Sequence, residues 1–185
     1  MAFVNEYKNM NMKNYIIILL VLFAANVAKA QASFESFESN EKVSAVVVNK
    51  KMFELMSKIK VDAKDVNAQN YLALIKSLDH LRVLSTSDAS TSKLLIITTH
   101  NYLSQNPLEE LLQSISNGKS VKIYTKPIGN SDKISELLML VEDQQSKNNV
   151  TIMTLLGNFS VSSLAILTEK MDLPGSKEIK DLSKK

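Results

Sequence analysis

The chain contains no cysteine. That excludes disulfide staples, thiolate nucleophiles, Cys-ligated zinc and a lipidated N-terminal cysteine. Tryptophan is also missing, and there are only two histidines, three prolines and four glycines. Gly118, Gly129, Gly157 and Gly175 are too scattered to cradle a phosphate, and no G-x-G-x-x-G or Walker pattern occurs. His80 and His100 are the only neutral-pH bases. His80 follows Asp79 and His100 precedes Asn101, so each reads as a surface or cap-bonded histidine. H-E-x-x-H and clustered His/carboxylate spacings are lacking, so metal catalysis has no support.

Charge of one sign is lacking too. The chain has 22 basic and 19 acidic residues, a net charge of +3. Lys8, Lys13, Lys29 and Glu6 lie in the first 30 residues, so the rest carries only about +1, without the clustered basic face that nucleic acid requires. The five Tyr and six Phe do not alternate with basic residues, which argues against a base-stacking platform.

What is present begins with NYIIILLVLFAANVAKAQA, residues 14–32. The apolar run at 15–28 reaches only ~21 Å as a helix, short of the ~30 Å hydrocarbon core. Lys8 and Lys13 precede it, and Ala28-Lys29-Ala30 follows as a small-x-small exit. This reads as a secretory signal peptide over 1–30, cleaved after Ala30 or, in a second option, after Ala32. Met12 opens a tidier signal than Met1. No later stretch reaches 18 apolar residues, so no stable membrane span is expected after cleavage. About 155 residues remain, enough for one domain with a real core. The expected division is an arm at 31–42, one domain at 43–176 and a polar tail at 177–185.

Val43–Val48 is β-branched and apolar on both faces, which predicts a buried strand. Met52, Phe53, Leu55, Met56 and Ile59 recur at helical spacing. Asp62 or Asp65 can cap a second helix with the stripe Tyr71, Leu72, Leu74, Ile75 and Leu78. A short strand follows at HLRVLSTSD. Ser90 or Ser92 then opens a third helix, ended or restarted by Pro107. Asn117-Gly118 between alternating runs is a hairpin signal, and ISELLMLVED and NVTIMTLLGNF flank the turn QQSKNN. These make a four-stranded meander. Ser160 caps a last helix that stops at Pro174-Gly175. In ISELLMLVED, Leu138 and Leu140 oppose Leu137, Met139 and Val141. In NVTIMTLLGNF, Val150, Ile152 and Leu156 oppose Met153, Leu155 and Phe159. Both strands are apolar on both sides, so both must be central. Any part of the sheet left uncovered by helices would recruit a partner.

The acidic neighbours Glu109-Glu110 and Glu142-Asp143 diverge whether in strand or helix and read as solvated charges. Asp62 and Asp65 lack the alternating oxygens of a calcium loop. Met52, Met56, Met139, Met153 and Met171 sit at apolar phase and read as core. No catalytic, cofactor-binding or metal-binding residue is assigned, and no cofactor is expected.

VSAVVVNKKMFELMSKI, YLALIKSLDHLRVLST, SELLMLVE, TLLGNF and LTEKMDLPG together resemble the domain of unknown function 4252 family, exported bacterial proteins chiefly of Bacteroidetes type. The resemblance spans about 34–176. It implies a small periplasmic or secreted α+β protein and carries over no catalytic residues. Proximity of some members to extracytoplasmic-function sigma factors implies envelope signalling. From the residues, the expectation is α+β: an antiparallel β-meander with about four helices in a single domain. Its expected work is non-enzymatic binding of a protein partner or a second copy. The alternatives are an apolar small molecule or lipid held between sheet and helices, or a hydrolase.

Overall fold

The computed structural model describes residues 34–116, 118–146, 148–160 and 162–164. The expected signal peptide, the end of the expected last helix, Met171 and the expected tail lie outside the described residues. The chain divides into two compact units, Met1–Ser36 and Phe37–Lys185; the account below concerns the second.

It is an α+β unit on one antiparallel sheet. Strands β1 (Ser44–Asn49), β2 (Leu78–Thr86), β3 (Glu109–Ser116), β4 (Lys119–Pro127), β5 (Lys133–Asp143) and β6 (Val150–Ser160) lie in the order β1-β2-β6-β5-β4-β3. Strands β3 to β6 are the expected meander, and β1–β2 joins it through β6. Helices α1 (Lys50–Met56) and α2 (Val66–Ser77) fall between β1 and β2, and α3 (Ala89–Gln105) between β2 and β3. Residues 34–38 and 162–164 are also helical.

Strands β5 and β6 are central, as their two-sided apolar sequences require. Leu137, Leu138, Met139 and Leu140 are all buried, although successive side chains point to opposite faces. One face joins Leu137 and Met139 to Leu81, Ile123, Met153 and Leu155 beneath Phe53 of α1, Leu74 and Ile75 of α2, and Leu164. The other face carries Leu84, Leu138, Leu140, Ile152 and Thr154, all buried, and α3 reaches it through Tyr102 and Glu136. The anticipated uncovered remainder is therefore not on the central strands. Each buried Leu or Met here contributes roughly 1.5–3 kcal/mol by leaving water.

Local signals explain most element ends. Asn49 starts α1 by accepting from Met52 N at 3.0 Å, and Asp65 starts α2 by accepting from Ala68 N at 2.9 Å. The structure places the cap of α3 at Asp88, two residues before Ser90 and four before Ser92. Asp88 accepts from Thr91 N at 2.9 Å, and Ser90, expected to open the helix, donates to Asp88 at 2.6 Å. The carboxylate out-competes the hydroxyl as an acceptor for the first-turn amides. Helix α3 ends at Gln105, two residues before Pro107. Ser116 opposes Lys119, and Gly118 between them takes φ +76°, as the expected hairpin requires. Ser160 Oγ accepts from Ser163 N at 3.3 Å at the start of the last helical turn.

Three other expectations are corrected. The stretch read as a buried strand over Val43–Val48 forms β1 over Ser44–Asn49, an exposed edge strand rather than a buried one. On α1 only Phe53 is buried; Met52 and Leu55 are exposed, as is Ile59 beyond the helix. Seven residues make barely two turns, so a full helical stripe has no surface to cover. Leu78, read as the end of the α2 stripe, begins β2 instead, and the strand runs nine residues.

Candidate functional site

Two features stand out on this scaffold: a buried polar cluster beneath α3 and an open strand edge at β1.

Helix α3 presents an unusual inner face. Its buried residues are Thr91, Ser92, Leu95, Thr99 and Tyr102, while Leu94 and Ile97 point outward. So few apolar contacts leave the anchoring to polar ones. Tyr102 Oη donates to Glu136 Oε1 on β5. Burial pushes the Glu136 carboxyl above the usual carboxylate range, opposed by the Tyr102 hydrogen bond and the Lys126 charge. Burial also pushes the Tyr102 phenol well up, and the Glu136 charge adds to this. On the same sheet face Arg82, 3% exposed, donates from Nε to Glu38 Oε1 at 2.6 Å. The ion pair ties β2 to Glu38, ahead of β1.

At the other end of α3, Asp88 also accepts from Lys42 Nζ at 2.9 Å and Thr91 Oγ1 at 2.7 Å. Hydrogen bonds from Ser90, Lys42 and Thr91 hold its carboxyl far below its ordinary range. Ser92 Oγ donates to the Asn148 carbonyl in the β5–β6 turn. The bonds of Tyr102, Asp88 and Ser92 tether α3, whereas Arg82–Glu38 ties β2 to the segment before β1. Sequence reading missed Tyr102–Glu136 and Arg82–Glu38 because partners 34 and 44 residues apart leave no local spacing. The one available signal was a charged residue at an apolar strand position, as Arg82 and Glu136 are.

The considered residues fall as follows. His80 is half-buried in β2, and His100 is exposed on α3. Asp65 caps α2, and Asp62 accepts from Lys64 N at 2.9 Å in the turn before it. Glu109 and Glu110 open β3 with opposite directions, facing Thr125 and Tyr124. Asp143 accepts from the Gln145 and Ser146 amides, which lower its pKa, and so shapes the β5–β6 turn. Among the described residues no three His, Asp or Glu side chains gather as a metal ion would need. Met139 and Met153 are core, Met56 is half-buried, and Met52 is exposed because it faces away from the sheet.

A shallow depression of about 350 Å³ lies where β1, β2 and β6 end, lined by Ser44, Ser85, Thr86, Ser87, Asn149, Val150 and Thr151. Ser85 and Thr151 hydroxyls bond across it at 2.9 Å. None of the lining side chains titrates near neutrality, so the depression supplies no general acid or base.

The β1 edge is different. Val46 and Val47 are 52% and 42% exposed on opposite faces of the strand. Among the described residues β1 pairs with β2 alone, in an unbroken register from Ser44↔Ser85 to Asn49↔His80. Its outer side therefore offers a row of backbone donors and acceptors to another strand. The opposite edge, β3, is interrupted by a register shift between Glu110 and Leu112, and exposed Glu109 and Glu110 flank the shift.

No curated protein and no solved structure matches the chain. The model of the family described as "Domain of unknown function (DUF4252)" matches residues 37–167, from the 34–38 turn to beyond β6. With the described sheet and helices α1 to α3 inside that match, the chain belongs to the DUF4252 family.

Proposed function

We propose that this is an exported protein of the cell envelope whose work is to bind a protein partner by strand addition at β1, without catalysis. The observation that carries the reading is the unguarded edge: four consecutive apolar residues, Ala45–Val48, with no charge, proline or bulge to repel another strand. Exposed Met52 and Leu55 on the helix that follows β1 add apolar surface of an adaptable kind. Export is supported by the Lys8/Lys13, 15–28 and Ala28-Lys29-Ala30 pattern.

Two measurements test it. N-terminal sequencing of protein from fractionated cells is expected to begin at Gln31 or Ser33; a chain retaining residues 1–30 would remove the export half. A photo-crosslinking side chain placed at Val46 is expected to trap a protein adduct in the producing cell, and the same group at Ile115 of β3 is not. Equal capture at both positions, or none at Val46, would sink strand addition at β1.

A further inference from the structure

We infer that the occupant of the β1 edge is a second copy of this chain, paired antiparallel about a two-fold axis normal to the sheet; this rests on the strand-addition reading above. A two-fold axis of that kind keeps each sheet face on its own side. Directly opposed residues must then share a face, so their numbers sum to an even value. Full overlap, with Ser44 opposite Asn49, is excluded. The two longest allowed registers centre on Val46 or on Val47.

Side-chain pairing separates them. Centring on Val46 sets Val46 against itself but Val47 against Ala45 and Val48 against Ser44. Centring on Val47 brings Val47 against itself and Val46 against Val48, so that every valine of β1 meets another valine, the β-branched pairing that favours cross-strand contact. In this arrangement exposed Glu41, just before β1, approaches the end of the second copy's β1, where Lys50 and Lys51 are exposed.

The contrast between edges explains why the assembly would stop at two. Adding β1 of one copy to β3 of another is a heterologous contact that leaves a free edge at each end and propagates. The register shift at Leu111 and the exposed acids Glu109 and Glu110 oppose that addition. Pairing β1 with β1 consumes the open edge of both copies and closes.

The absence of cysteine gives a clean test. Single Val46→Cys, Val47→Cys and Val48→Cys variants of the chain purified from its producing cells are oxidised mildly, alongside sedimentation of the unmodified protein. The expected result is a dimer, with crosslinking several-fold higher at Val47→Cys than at either neighbour, because a two-residue offset exceeds the disulfide span. Val47→Lys is expected to weaken the dimer at least tenfold while its unfolding midpoint, compared at concentrations where both chains are monomeric, is unchanged; should that variant not fold, the cysteine series stands alone. A chain that stays monomeric, or a flat crosslinking profile, overturns the inference. A monomer whose Val46 photoprobe still traps a different protein overturns self-pairing and keeps strand addition; a monomer with no adduct overturns both.

Discussion

The two edges of one sheet are treated in opposite ways. Strand β3 is eight residues long, but its pairing slips at Leu111, acids flank the slip, and Pro107 precedes it. Strand β1 is six residues long, pairs regularly, and shows valine on both faces. Ile115 on β3 is 66% exposed, more than either valine, so exposed apolar area alone does not distinguish the edges. The difference lies in the backbone: a bulged edge twists its donors and acceptors out of line, and a regular edge keeps them in line. Availability of backbone hydrogen bonds marks an edge as a docking surface, and side-chain hydrophobicity only tunes it.

The sharpest way to break this comparison is to separate β1–β2 from the meander. Gly157 on β6 opposes Leu78, and a Cβ there would sit 2.4 Å from the Ser77 carbonyl oxygen and 2.9 Å from Leu78 Cα. Both are backbone atoms that cannot swing away. Gly157→Ala is expected to cost about 3 kcal/mol in urea unfolding, as overpacking does. Next in size is Tyr102→Phe, which leaves Glu136 buried without its donor and is expected to cost roughly 1–3 kcal/mol.

The same α3 tethers predict a two-sided pH profile. Glu136 titrates above its ordinary 4.5 in the folded chain, so the stability it contributes is full below 4.5 and is lost as pH rises through its raised value. Asp88 titrates below its ordinary 3.8, so its contribution is present above 3.8 and is lost as pH falls toward its lowered value. Urea midpoints across pH should therefore show a loss on the alkaline side that Glu136→Gln abolishes. In Tyr102→Phe that loss should move to higher pH, because the hydrogen bond holding the Glu136 value down is gone.

A smaller effect is expected at the β3–β4 hairpin. Gly118→Ala must hold φ +76° and push the Gln145 side chain aside, at a cost of about 1 kcal/mol. Smallest in stability, and most informative about the edges, is a matched pair. Val47→Lys and Ile115→Lys should each change the unfolding free energy of the monomer, measured at concentrations too low for association, by no more than about 0.5 kcal/mol. Only the first should change association measured by sedimentation.

Much of this fold is written locally. The centrality of β5 and β6 follows from leucine on both faces of one strand, the β3–β4 turn from Asn117-Gly118, and the α3 terminus from Pro107. Val43–Val48 misled because β-branched composition reports a strand and not its place in the sheet. Its position depends on β2 pairing with β6, a partnership some 70 residues apart. Met52 and Leu55 misled in the same way: their spacing is helical, but α1 is too short to bury two sides. Of the site, the open edge was legible only as a run of valines. The Tyr102–Glu136 and Arg82–Glu38 tethers were not legible, since each joins elements brought together by the sheet order alone.

The most direct test of the account is backbone hydrogen exchange measured residue by residue on the purified chain at increasing protein concentration. Alternate amides of Ser44–Asn49, those on the outer side of β1, are expected to become protected as concentration rises, while the outer amides of Glu109–Ser116 continue to exchange freely. Equal exchange at the two edges across all concentrations would contradict it.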